Sequence, residues 1–251
     1  MAPVFVDVRD SDFLMDVEQV EAAITPRTTA IIPVPLYGQC VDLDPLMAVA
    51  QRHGLKVMED CAQSQGALYK NHQAGSVGHA ASFSFYPTKV LGAYGDGGMV
   101  MSNDEAVIRL ARSLRFFGME SQYYSERHGY NSRLDEVQAA ILSLKLPRVD
   151  GWIERRRAIA ARYDQGLAGS GLTLPRENPA AIPITCTWSS IRPTATACCS
   201  DWPSATSTAT FRTPGRSISC AAAPISDITK ASSRSRNARR NEFSRCRCTH
   251  I

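Results

Sequence analysis

At 251 residues and 44% hydrophobic, the chain can bury the core of one large domain or two small ones. A net charge of +4, with basic residues unclustered until the far C-terminus, gives no basis for a nucleic-acid partner. No apolar run is long enough to span a bilayer, and Met1-Ala2-Pro3-Val4 lacks a basic-then-apolar leader, so a cytoplasmic protein without a membrane partner is expected.

In chain order, Val4 to Val8 reads as a strand and Val17 to Ile24 has helical apolar spacing. Thr29 to Val34 reads as the next strand. Leu46 to His53 is a helix closed by Gly54, which suits the left-handed position after a helix end. Leu55 to Met58, Ala81 to Tyr86 and Gly98 to Met101 read as further strands. Asp104 to Leu114, Leu134 to Leu146 and Val149 to Leu167 read as helices. Short apolar strands alternating with helices predict an α/β fold with a mostly parallel, helix-covered sheet.

After Ile184 this order stops. The tail is dense in Ser, Thr, Arg, Cys and Pro, without period-2 or period-3.6 hydrophobic order, so it is expected to be irregular. Of the eight cysteines, Cys40 and Cys61 lie early and the other six crowd the tail. Cys246-Arg247-Cys248 and Cys198-Cys199 lack metal-site spacing, and no metal is expected. Such composition fits a disordered extension, yet six cysteines and two tryptophans, Trp188 and Trp202, fit out-of-frame translation better. Suppose each true codon takes the third base of one residue's codon and the first two bases of the next. Thr185 to Ser190 then permits H-L-Y-V-V-I, a good strand. The expected organisation is therefore a domain over 1–174 and an aberrant, out-of-frame tail over 175–251.

Two blocks carry the chemistry. The first runs from Val57 to Ala67 and contains Glu59-Asp60-Cys61-Ala62-Gln63. The second runs from Ser82 to Gly98 and contains Tyr86-Pro87-Thr88-Lys89-Val90-Leu91-Gly92. Both sit where a strand enters a loop, the place where α/β sheets build sites. An acid leaving a buried strand and a lysine in a glycine-flanked loop suit pyridoxal phosphate (PLP), which needs an amine to attach and an acid at its pyridine nitrogen. Taken singly, an Asp at a strand end is equally a turn or capping residue, and a loop Lys a solvated charge. Gly95, Gly97 and Gly98 precede a strand and form no dinucleotide fingerprint opening a helix.

Residues 4–174 resemble the DegT/DnrJ/StrS family of PLP-dependent sugar aminotransferases. The matching text is Ala30 to Gln39, Glu59 to Gln63, Phe83 to Gly98, and Gly129 to Ala140. The out-of-frame strings P-Y-P-R-P-I-H (within Ala205 to Ile218) and L-S-L-P-M-Y-P (within Asp227 to His250) resemble that family's C-terminal domain. The resemblance implies part of a fold type I, aspartate-aminotransferase-like large domain with PLP as cofactor. Lys89 matches the Schiff-base lysine and general base, where a dehydratase branch has histidine. Asp60 matches the acid that keeps the pyridine nitrogen protonated, and Gln63 a residue lining the ring. Ser84 matches a hydroxyl donor to the phosphate. Asn131 matches a phosphate ligand reaching across from a neighbouring subunit, which implies a homodimer. The implied reaction is ping-pong transfer of an amino group from glutamate or glutamine to a nucleotide-linked keto-sugar.

Against the family pattern, Met1 aligns well inside the large domain. The segment carrying the phosphate-cradling turn and the ring-stacking residue is expected to be missing, and the tail stands where the small domain belongs. Two other function classes therefore remain: a non-catalytic remnant of an aminotransferase, and a binding or regulatory protein using the sheet without PLP chemistry.

Overall fold

The structure is a computed structural model. It describes residues 2–121, 123–170 and 172–177, without the side chains of 172 and 173, and beyond these the backbone strands at 181–182, 192–193, 208–213 and 216–221. By compactness of the backbone the chain divides into Met1–Thr196 and Ala197–Ile251.

The first unit opens with α1, Val17–Val20, capped by the Asp16 carboxylate, which accepts the Glu18 N–H at 3.2 Å. A 3-10 turn over Glu21–Ala23 continues it. Next come β1 (Ala30–Ile31), α2 (Leu43–Arg52) and β2 (Lys56–Asp60). The hairpin β3 (Leu68–Tyr69) and β4 (His72–Gln73) leads into β5 (Ala80–Ser84) and β6 (Gly98–Met101). Helix α3 (Glu105–Leu114) precedes a second small hairpin, β7 (Met119–Ser121) and β8 (Tyr124–Ser125), and then come α4 (Glu136–Lys145) and α5 (Val149–Leu167).

The main sheet has the order β1-β2-β5-β6, with β1, β2 and β5 parallel and β6 antiparallel to β5. This is the mostly parallel α/β sheet expected. Helix α2 stops as its glycine predicts. Gly54 adopts φ +64° and donates its N–H to Gln51 O, while Leu55 N–H reaches Ala50 O at 2.8 Å, the paired bonds of a Schellman end. Leu43, Leu46, Val49 and Ala50 of α2 pack with Ile31, Val57 and Ala81 of the sheet and with Val149 and Ile153 of α5. Leu43 and Leu46 are fully buried and each contribute roughly 2 kcal/mol.

The helices cover one face. Directly paired residues share a sheet face, so Ala81 and Glu59 lie on the covered side and Met58, Asp60, Ser82 and Val100 on the other. On that second side Ile32, Met58 and Val100 are 54%, 37% and 48% exposed.

Two sequence expectations need correction. Val4 to Val8 is not a strand: Val8 makes an isolated bridge to Met15, and Phe5 stands exposed with no strand among the described residues paired to it. The strand expected over Thr29 to Val34 shortens to Ala30–Ile31, because Pro33 and Pro35 have no N–H for the ladder. Pro33 still contributes its carbonyl, accepting the Asp60 N–H at 2.9 Å.

Ala181–Ile182 pairs antiparallel with β3, and Arg192–Pro193 with Leu172–Thr173. In the second unit, Thr208–Thr213 and Arg216–Ala221 form an antiparallel hairpin. The remainder of the tail expected to be irregular lies outside the described residues.

Candidate active site

Asp60 ends β2 and is paired across to Ser82, so it leaves the sheet at the carboxyl end of its parallel strands. Its carboxylate accepts the Ala62 N–H at 3.2 Å, which turns the chain sharply. Three residues on, Gln63 Oε1 accepts the Tyr37 N–H at 3.1 Å. Tyr37 is held at φ +57° and is followed by Gly38 at φ +81°, so two consecutive left-handed residues fold the loop after β1 against the Asp60 turn.

Adjacent strand β5 ends at Ser84, and the lysine loop begins there. Ser84 Oγ accepts the Tyr86 N–H at 3.2 Å, which leaves the hydroxyl proton available to a ligand. Tyr86 to Lys89 is a turn closed by Lys89 N–H to Tyr86 O at 2.9 Å, with Pro87 at its second position. Lys89 is half-buried, and among the described residues no hydrogen bond or ion pair ties down its ammonium.

The loop is tight where glycine demands it. A Cβ on Gly92 would lie 2.5 Å from Pro87 O, and one on Gly97 would lie 2.9 Å from Leu134 Cδ1. Its far side is braced by α4. Gln138 Oε1 accepts the Tyr94 N–H at 2.9 Å, Lys145 Nζ donates to Gly92 O at 2.6 Å, and Leu142 packs on Phe85 and Ala93.

Sequence reasoning missed the side chains that hold this arrangement. Glu59, fully buried beside Asp60 in the chain, accepts N–H groups of Gly75, Val77 and Gly78 at 2.9, 3.1 and 2.7 Å. Its position on the covered face, set by strand alternation, is the signal that separates it from Asp60. Gln65, Gln138 and Lys145 gave no such signal, since each binds backbone far away in sequence. Nearby, burial pushes the Cys40 and Cys61 thiols up to about 12.

Four of the five residues singled out from sequence, Asp60, Gln63, Ser84 and Lys89, therefore stand on the carboxyl-end turns of neighbouring strands. Asn131 does not join them. It is exposed on a separate segment, bridged to Phe116, and no hydrogen bond among the described residues links it to the other four. Among the described residues, no three His, Cys, Asp or Glu side chains gather to hold a metal, and no helix is long and apolar enough to cross a membrane.

The model of the DegT/DnrJ/EryC1/StrS aminotransferase family matches residues 1–193. The chain belongs to this family. A dTDP-3-amino-3,4,6-trideoxy-alpha-D-glucose transaminase of Micromonospora megalomicea subsp. nigra is 60% identical over 178 residues, covering 69% of this chain and 48% of the relative. A pleiotropic regulatory protein of Geobacillus stearothermophilus is 51% identical, covering 70% and 48%. Among solved structures, S. venezuelae DesV in complex with a ketimine intermediate matches with a TM-score of 0.71 at 46% identity, over 73% of this chain and 50% of that one. The chain thus spans about half the length of the curated relatives it matches.

The donor set fits the cofactor that such aminotransferases use. An untethered lysine amine, a strand-end carboxylate with one oxygen unclaimed among the described residues, and a hydroxyl with a free proton are what an aldehyde, a pyridine nitrogen and a phosphate require.

Proposed function

We propose that this family member is a PLP-dependent aminotransferase moving an amino group from glutamate or glutamine to a nucleotide-linked keto-sugar. The observation that carries the reading is the pairing of Asp60 and Lys89 on turns that leave two adjacent, parallel strands. Transaminases acting on nucleotide-linked sugars among the relatives support the substrate class.

In this reading Lys89 Nζ would hold the cofactor and would take the proton from the donor's α-carbon. Bound PLP supplies the electron sink for that carbon. Asp60 holds the proton on the ring nitrogen, because a carboxylate beside it favours the charged form. Ser84 donates its hydroxyl proton to the phosphate, Gln63 lines the ring, and Asn131 completes the phosphate site from the second subunit of a cytoplasmic homodimer. Residues 1–174 supply the cofactor domain, and 175–251 are out-of-frame text.

A second reading, a non-catalytic remnant, is favoured by the exposure of Ile32, Met58 and Val100 on the sheet face that bears Asp60. Incubation with PLP, glutamate and a nucleotide-linked keto-sugar separates the two. Formation of 2-oxoglutarate and amino-sugar, lost in Lys89→Ala, is the expected result. No product from a folded, PLP-loaded chain would favour the remnant.

A further inference from the structure

Between Asp60 and the lysine loop lies a buried amide that the reaction described above does not use. Gln65 is 7% exposed. Its Nε2 donates to Ser84 O at 2.7 Å and to Leu91 O at 3.2 Å, and its Oε1 accepts the Leu91 N–H at 2.7 Å. One side chain thus meets both polar groups of Leu91, as a neighbouring strand would, and also the last carbonyl of β5. Lys89 lies between these two anchor points, closed at its own N–H by the Tyr86 turn.

We propose that Gln65 is a positioning residue: its amide fixes both shoulders of the lysine loop and so sets the direction and reactivity of Lys89 Nζ. The inference rests on Lys89 being the attachment residue only for its link to catalysis; the positioning itself is a property of the loop. The chemistry requires an amide of this length. A carboxylate would keep the bond from Leu91 N–H but would face the Ser84 and Leu91 carbonyls with no proton to give. A leucine would leave all three backbone groups without their partner. A shorter asparagine would lose the reach to at least one anchor. Neither α4 contact substitutes, since Gln138 and Lys145 hold Tyr94 and Gly92, on the far side of Leu91.

The test uses the full chain and acetic anhydride as a generic amine probe, with exposed Lys56 as the internal reference in each sample. Gln65→Leu and the near-isosteric Gln65→Glu should each change the Lys89 to Lys56 acetylation ratio by about tenfold and move its pH midpoint, with circular dichroism unchanged. In Gln65→Leu the Leu91 amide should also exchange hydrogen about tenfold faster, whereas Gln65→Glu, which keeps the acceptor, should leave that amide slow. In the unsubstituted chain, which requires no variant to fold, the Leu91 amide should exchange as slowly as those of β5. A Lys89 ratio and pH midpoint unchanged in a folded variant would overturn the proposal, as would a Leu91 amide exchanging as fast as that of Thr88. Borohydride treatment with PLP, run alongside, reports separately on the cofactor reading: its failure at Lys89 would refute that reading while the acetylation ratio still decides the role of Gln65.

Discussion

Glu59 and Asp60 are adjacent carboxylates on one strand with opposite fates. Strand alternation turns Glu59 onto the helix-covered face, where three backbone N–H groups surround it and water is excluded. Asp60 turns to the other face, half-buried at the strand end, where its carboxylate has one hydrogen bond in the described structure, from the Ala62 N–H. The first acid serves the fold, with both of its oxygens engaged by backbone N–H groups. The second keeps one oxygen without a hydrogen bond among the described residues. The same division runs across the sheet, with Val57 and Ala81 sealed while Met58, Ser82 and Val100 share the Asp60 side.

The largest expected effect comes from breaking the structural acid. Glu59→Ala leaves three N–H groups facing a cavity and should destabilise the chain by about 4 kcal/mol, read as a fall in the urea midpoint by circular dichroism. Asp60→Asn is the matching test on the other face. It should change stability by less than about 1 kcal/mol while removing most transamination and sparing some PLP binding, as titration of cofactor absorbance would record. Equal stability losses in both variants would dissolve the distinction between the two acids.

How much of this was legible from sequence follows from range. Strand β6 and helix α5 have the bounds their hydrophobic pattern predicts, and Gly54 ends α2 as expected, because each is decided within a few residues. The strand expected at Val4 to Val8 failed because a strand exists only with a partner, and among the described residues only the Val8–Met15 bridge is formed there. The β3–β4 hairpin escaped notice because its strands are two residues each. In the candidate site, matching motifs singled out Asp60 and Lys89, but Gln65 contacts carbonyls 19 and 26 residues away, a relation that no spacing rule encodes.

A smaller effect is expected at the loop glycine. Gly92→Ala places a Cβ 2.5 Å from Pro87 O, and the shift needed should cost about 2 kcal/mol and alter Lys89 acetylation. Met58→Ser, on the open face, should change the stability read from urea unfolding by less than about 0.5 kcal/mol, whereas Val57→Ala, one residue away and fully buried, should cost about 2 kcal/mol. The least perturbing test is chemical. Because burial pushes the Cys40 and Cys61 thiols up to about 12, both stay protonated near neutrality. Iodoacetamide at about pH 8 should leave their peptides unmodified in the folded chain and label them in urea, as mass spectrometry would read.

The central claim, that the open carboxyl end of this sheet presents an amine for PLP, is tested most directly by borohydride reduction of the PLP-treated chain and peptide mapping. A stable cofactor adduct on Lys89 is expected, absent in Lys89→Ala and retained in part in Asp60→Asn. An adduct spread over surface lysines such as Lys56 and Lys70, with none at Lys89, would contradict it.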